Sequence, residues 1–239
     1  MDKRSKLRLA GVGYFCLLTL LQAGGGVKGT VTYSGKVPRL KSFNMAIEAV
    51  CVAKHENDPE NYPARSEALV LGAGNTMGNI YVRIASGLPE REWEVPSEPV
   101  VLNQDGCQYK PHVIALQVEQ PIKFLNSDGV LHNLHTIPEE NDETNVTMPP
   151  FLKETVRSFE YAEGPFPIKC DVHPWMGGFI AVSEHPFFDI TGKDGKFEIS
   201  GLEDGNYQLE FWHEKLGTRT ADVTISGDET QTVDITFSR

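Results

Sequence analysis

The stretch from Asp194 to Phe211, "DGKFEISGLEDGNYQLEF", alternates apolar and polar residues with a period of two. Phe197 and Ile199, then Tyr207, Leu209 and Phe211, fall on one side, and Glu198, Gln208 and Glu210 on the other. Successive side chains of a strand point to opposite faces, whereas a helix repeats every ~3.6 residues, so this pattern fits half-buried strands and no amphipathic helix. Asp194-Gly195 and Asp204-Gly205 supply the turns. Val223 and Ile225, then Val233, Ile235 and Phe237, repeat the alternation, which predicts at least four strands closing a sandwich-like sheet at the carboxyl end.

The middle of the chain has the same rhythm. "HVIALQVEQPIKFLN" predicts two strands joined at Glu119-Gln120, and "VLHNLHTI", "KETVRSFEYA" and "GGFIAVS" predict one each. The acidic, proline-ended segment 139–150, "EENDETNVTMPP", reads as a solvated loop. A short helix fits only within residues 42–57, "SFNMAIEAVCVAKHEN". The expected fold class is all-β.

Charge and the amino terminus narrow the function. With 33 acidic against 22 basic residues the formal net charge is -11, which disfavours general attraction to nucleic-acid phosphates or anionic lipid and fits a basic partner surface better. "MDKRSKLR" followed by "LAGVGYFCLLTLLQA" has the layout of a secretory signal over residues 1–23, with cleavage after Ala23. The alternative is an uncleaved membrane anchor, although the run from Leu9 to Leu21 is glycine-interrupted and shorter than the ~20 residues a spanning helix needs. Cys16 lies inside the apolar run, which gives no lipid-attachment site. The expected location is periplasmic or secreted, with membrane contact only if the signal is uncleaved.

Beyond the signal three cysteines remain, Cys51, Cys107 and Cys170, an odd number for an oxidising compartment. One arrangement pairs Cys51 with Cys107 and leaves Cys170 as a metal-held thiolate; the other leaves Cys107 as a buried free thiol. The segment "IKCDVHPWMGG", residues 168–178, puts a thiol, an imidazole and a thioether in the spacing C-x2-H-x2-M. These soft donors suit copper rather than magnesium or calcium, which take oxygen ligands. Two His, one Cys and a weak Met make a blue-copper site, and Cys170, His173 and Met176 supply three of the four. One short loop cannot enclose an ion, so the second His must come from another strand; His132 in "NSDGVLHNLH" is the candidate. Asn133 is placed to tie the two ligand loops together by hydrogen bonds. Zinc competes for Cys and His, but structural zinc sites rarely recruit Met and usually hold more thiolates. Nucleophilic catalysis by Cys170 leaves the Met without a task. His135 reads as structural, His112 as a buried or surface imidazole, and His55, His185 and His213 have no spacing that supports a role.

The pieces "CQYKPHVIALQVEQPIKFLN", "HNLH" and "CDVHPWMGG", in that order, resemble the cupredoxins, most nearly those of amicyanin and plastocyanin type, over residues 98–184. The resemblance implies a Greek-key β-sandwich, one type 1 copper ion on His132, Cys170, His173 and Met176, and Asn133 as the residue behind the ligands. It also implies that the ring edge of His173 is exposed beside Pro174 and Trp175, in the patch where redox partners dock. "VKGTVTYSGKVP" and "DGKFEISGLEDGNYQLEFWHE" resemble the opening and close of carboxypeptidase regulatory-like (prealbumin-like) β-sandwiches. The expected organisation is a second, smaller sandwich from residues 24–97 with 185–239, into which the cupredoxin is inserted; the alternative is that residues 24–97 extend the cupredoxin and the tail forms a separate small module. The expected function is one-electron transfer without catalysis, to a partner such as a c-type cytochrome with a basic docking surface. A copper carrier and a metal-stabilised interaction module are the alternatives.

Overall fold

The alternation noted at the carboxyl end is realised as strands Lys196–Leu202, Gly205–His213, Gly217–Ile225, Thr230–Thr232 and Ile235–Ser238. They belong to a computed structural model that describes residues 24–56 and 64–239; the expected signal segment, residues 1–23, lies outside the described residues. Rather than closing one sheet, these strands divide between two. Lys196–Leu202, Thr230–Thr232 and Ile235–Ser238 all pair with Gly25–Ser34, while Phe188–Ile190, Tyr81–Ser86, Gly205–His213 and Gly217–Ile225 form a second sheet in that order. The two sheets face each other across Val27, Val31, Val82, Ile84, Phe197, Ile199, Leu209, Phe211 and Phe237. A side chain at Gly29 would run into the carbonyl of Val233, so only glycine lets that part of the chain cross the first strand closely.

Between these contributions from the two ends of the chain lies a second sandwich. One of its sheets has the order Asn145–Met148, His132–Thr136, Glu163–Lys169, Gly177–Ser183, Val113–Gln117. The other has the order Glu154–Arg157, Ile122–Asn126, Val100–Gln104, Tyr109–Lys110. Leu102, Leu116, Ile122, Phe124, Leu134, Phe166, Ile168 and Ile180 fill the space between them. Every described strand between Val100 and Ser183 pairs within this unit. The fold is all-β. One expectation is corrected here: residues 145–148 are not solvated loop but an edge strand, because Val146 and Met148 alternate inward and Met148, fully buried, pairs across from His132.

The sandwiches meet through side chains that point away from their own cores. Tyr81, Phe188, Ile190 and Trp212 of the terminal unit pack on Val113, Ala115, Phe179 and Ala181 of the central one, with Phe179 and Trp212 edge to face at 5.1 Å. At the border His112 Nε2 lies 2.7 Å from Glu214 Oε1, and His112 Nδ1 lies 3.1 Å from the carbonyl of Gly177. Burial pushes the Glu214 carboxyl up, but His112 and Lys215 outweigh it and hold it below the ordinary glutamate range.

Residues 43–56 pack elsewhere than the terminal sandwich. Helix Ala49–Glu56 begins after a turn closed by Glu48 N–H donating to Met45 O, and its Cys51 forms a disulfide with Cys107. Met45, Cys51, Ala64 and Cys107 are buried together, with Phe43, Val52, Val130 and Trp175 against them. Lys54 reaches Asp128 at 2.8 Å and Asp105 at 3.2 Å, and His55 Nε2 lies 2.6 Å from Gly106 O. This cap is thus fastened to the end of the central sandwich that carries "CDVHPWM".

Two outcomes are expected. The Cys51–Cys107 bridge closes a separation of 56 residues, so replacing both cysteines by serine should lower the unfolding free energy by about 4 kcal/mol in the chain-entropy account, measured by urea denaturation. Glu214 has a lowered pKa in the fold, so its contribution is present above the ordinary glutamate value and is lost as pH falls through the lower folded value. The stability gap between the native chain and Glu214→Gln should therefore be widest near neutrality and close over roughly pH 5 to 3; a gap that stays constant would show that the pair contributes nothing.

Candidate metal centre

Strand register brings the donors together. His132–Thr136 lies antiparallel to Glu163–Lys169 with Lys169 opposite His135, so Cys170 and Asp171, just past the end of that strand, run alongside the start of the His132 strand. Glu163–Lys169 then pairs antiparallel with Gly177–Ser183, leaving residues 170–176 as the connection. That connection is closed by two backbone bonds: Cys170 N–H donates to Met176 O at 3.0 Å, and Met176 N–H donates to His173 O at 2.9 Å. A turn this tight keeps the backbones of Cys170, His173 and Met176 close together.

At that point His132 Nδ1 and His173 Nδ1 are 2.9 Å apart, and each lies 3.9 Å and 3.8 Å, respectively, from Cys170 Sγ. A circle through these three atoms has a radius of about 2.1 Å, inside the ~2.0–2.3 Å at which an ion such as zinc takes imidazole and thiolate ligands. All three residues are buried, and His132, Cys170 and His173 form a group able to hold a metal ion. Met176 is buried in the same cluster as Cys170. The donor set therefore fits a soft or borderline first-row ion.

Electrostatics prepare the donors. Burial pushes the Cys170 thiol up, but its hydrogen bond with His132 and the backbone bonds of Asn133, His173 and Val172 prevail and hold it below the ordinary range, toward thiolate. For His132 burial acts downward, yet the hydrogen bond to Asp128 and then that to Cys170 raise it. His173 is lowered, by burial first and by the charge of His132 second.

A shell of hydrogen bonds locks the ligand strands. Asn133 Oδ1 accepts from Asp171 N–H at 2.7 Å, and its amide donates to Asp171 Oδ2 at 3.0 Å and to Asn145 Oδ1 at 2.8 Å. The Tyr109 hydroxyl, fully buried, lies 2.6 Å from Asn133 O and 3.0 Å from Lys169 O, between the two strands that carry His132 and Cys170. His135 turns outward to Asp171 and Glu143, at 2.8 Å and 2.7 Å. The expected exposed edge of His173 is corrected: the residue is only 3 % exposed, and the Trp175 ring is tilted against it with ring centroids 5.1 Å apart. Trp175 is itself held by Nε1–H donating to Cys107 O at 3.1 Å, so Pro174 and the half-buried Trp175 form the surface above the site.

Reasoning on sequence missed Asp128. Its buried carboxylate takes His132 Nε2 at 2.9 Å, four residues before the histidine across a glycine turn. An acid at that offset in "SDGVLH" was the available signal.

No family model matches the chain, and no curated protein matches it. Among solved structures it is similar to a copper-containing nitrite reductase from Thermus scotoductus SA-01, at 20% identity and a TM-score of 0.33, over 42% of this chain and 25% of that one. The chain thus spans about a quarter of the reductase's length. It is similar to a single-residue variant of amicyanin in the Cu(I) form, at 19% identity and a TM-score of 0.32, over 41% of this chain and 98% of that one. It is also similar to a purple cupredoxin from Nitrosopumilus maritimus, at 22% identity and a TM-score of 0.30, over 35% and 99%.

Asn133→Ala should cost about 1–3 kcal/mol in urea denaturation of the metal-free protein, since it strands the Asp171 N–H at a part-buried site. A cost near zero would mean that water replaces the side chain and the ligand strands are not locked by it.

Proposed function

We propose that the chain is a type 1 copper protein that carries single electrons between redox partners, with one copper ion on His132, Cys170, His173 and Met176. The observation that supports this most directly is the buried triangle of two imidazole nitrogens and one sulfur, with separations of 2.9, 3.8 and 3.9 Å. A single thiolate with a buried Met176 favours copper over structural zinc, which gathers more thiolates. Copper bound there would supply a one-electron couple.

The residues themselves do the rest. Burial of all three donors keeps water out and leaves no approach for a substrate, which supports transfer of electrons over reaction at the metal. It also disfavours a carrier that hands copper on, for which an open site would be needed. Asn133 and Tyr109 hold the two ligand strands at fixed spacing, so a change of charge at the centre meets little rearrangement. Pro174 and Trp175 offer the docking surface, and the net charge of -11 would steer a basic redox protein such as a c-type cytochrome toward it. The Cys51–Cys107 disulfide suits a periplasmic or secreted location.

Addition of cupric ion to the purified protein should produce the intense blue of a copper–thiolate bond, bleached reversibly by ascorbate and absent in Cys170→Ser. A colourless native protein under the same titration overturns the reading. Electron exchange with a basic cytochrome should slow as ionic strength rises, because screening shortens the reach of the protein's charge to about 10 Å at 0.1 M salt; a rate independent of salt removes the steering.

A further inference from the structure

We propose that Asp128 is a positioning residue that fixes which nitrogen of His132 faces the Cys170 sulfur, and that the disulfide-bound cap holds Asp128 in place. The inference rests on the copper reading above but begins from contacts that exist without a metal. The Asp128 side chain is 0% exposed and receives four donors. Oδ1 accepts from Gly106 N–H at 2.7 Å and from Lys54 Nζ at 2.8 Å. Oδ2 accepts from Cys107 N–H at 2.9 Å and faces His132 Nε2 at 2.9 Å.

A carboxylate only accepts, so His132 must carry its proton on Nε2 to satisfy that contact. The opposite nitrogen, Nδ1, is then the one left for a metal, and it is the one directed at Cys170 and His173. The same bond stops the ring from turning about its Cβ–Cγ axis. A carboxylate behind a ligating imidazole also raises its basicity, which favours the more highly charged oxidation state of the ion.

The acid is not held by its own loop alone. Gly106 and Cys107 both have positive φ, 68° and 52°, which aims their successive N–H groups at one carboxylate. Such a conformation is uncommon for a residue other than glycine. Cys107 is bound there by its disulfide to Cys51, and Lys54, one turn along the same helix, adds the third donor. The cap thereby reaches the candidate ligand His132 through a single intermediary, Asp128.

The test uses the full chain with Asp128→Ala, Asp128→Asn and Lys54→Met, first without metal. In the native protein the Nε2 proton of His132 should be protected from exchange and resolved by proton–nitrogen NMR; it should be lost in Asp128→Ala and weakened when Cys51 and Cys107 are both serine. On titration with copper against a competing chelator, Asp128→Ala should bind ~10–100-fold more weakly, with a changed copper–thiolate spectrum and a raised potential, whereas Lys54→Met, which frees the carboxylate of a cation, should loosen the Nε2 proton's protection without raising the potential. Should Asp128→Ala not fold, Asp128→Asn carries the same readouts and Lys54→Met that of proton protection. An unprotected Nε2 proton in the native protein, or Asp128 variants that match it in affinity, spectrum and potential, overturns the proposal. A protected proton that vanishes in the variants, in a protein that takes up no copper, would sustain the role of Asp128 and remove the copper reading alone.

Discussion

The antiparallel pairing of strand His132–Thr136 with strand Glu163–Lys169 is the constraint on which the candidate centre depends. It puts Lys169 opposite His135 and so carries Cys170 to within 3.9 Å of His132 Nδ1, although the two residues are 38 apart in the chain. A slip of one residue would turn every side chain of the strand to the other face, sending His132 outward and a neighbour inward. The register is held from several sides: by Leu134 and Ile168 in the core, by the Tyr109 hydroxyl lying near carbonyls of both strands, and by Asn133 gripping the backbone of Asp171. Each of these is buried or part-buried, so water is a poor substitute for any of them.

Around that pairing the remaining elements act as successive layers of restraint. The turn from Cys170 to Met176 closes on itself through backbone bonds, and strand Gly177–Ser183 continues from it into parallel contact with Val113–Gln117. The other side of that sheet edge rests on Tyr81, Phe188 and Trp212 of the terminal sandwich. His112 joins the two units at Gly177 and Glu214. The cap over residues 43–56 packs through Phe43 and its disulfide beside Trp175, which donates to Cys107 O and lies against the His173 ring. The terminal sandwich and the cap therefore both pack beside the ligand loop, at Gly177 and at Trp175, without sharing its donors.

Much of this is legible in the amino-acid sequence. Period-two alternation at Phe197, Ile199, Leu209 and Phe211 specified strands because an extended chain has no other way to bury those residues on one side. The helix was readable in outline from residues 42–57, and its second half, Ala49–Glu56, is where it forms. Segment 139–150 misled because acidic residues and two prolines outweighed the short pattern at Val146 and Met148, and only the partner strand at His132 makes those two residues inward. The spacing of Cys170, His173 and Met176 was visible because all three lie in one turn. Asp128 was not, since its meaning comes from Gly106, Cys107 and Lys54, which are remote in the chain.

By itself, the sequence determined the local chemistry: extended strands with one apolar face, an acidic surface, an odd soft-donor loop and a histidine in a strand ahead of it. These depend on covalent neighbours and on the alternation of side chains along an extended backbone, which any tertiary arrangement must respect. The tertiary structure alone decided which groups face one another at a few ångströms: that the carboxyl-terminal strands split between two sheets, that the Trp175 ring lies against His173, and that Asp128 stands behind His132. Distance between residues far apart in the chain is set by register and packing summed over whole sheets, and no short stretch of residues carries that information.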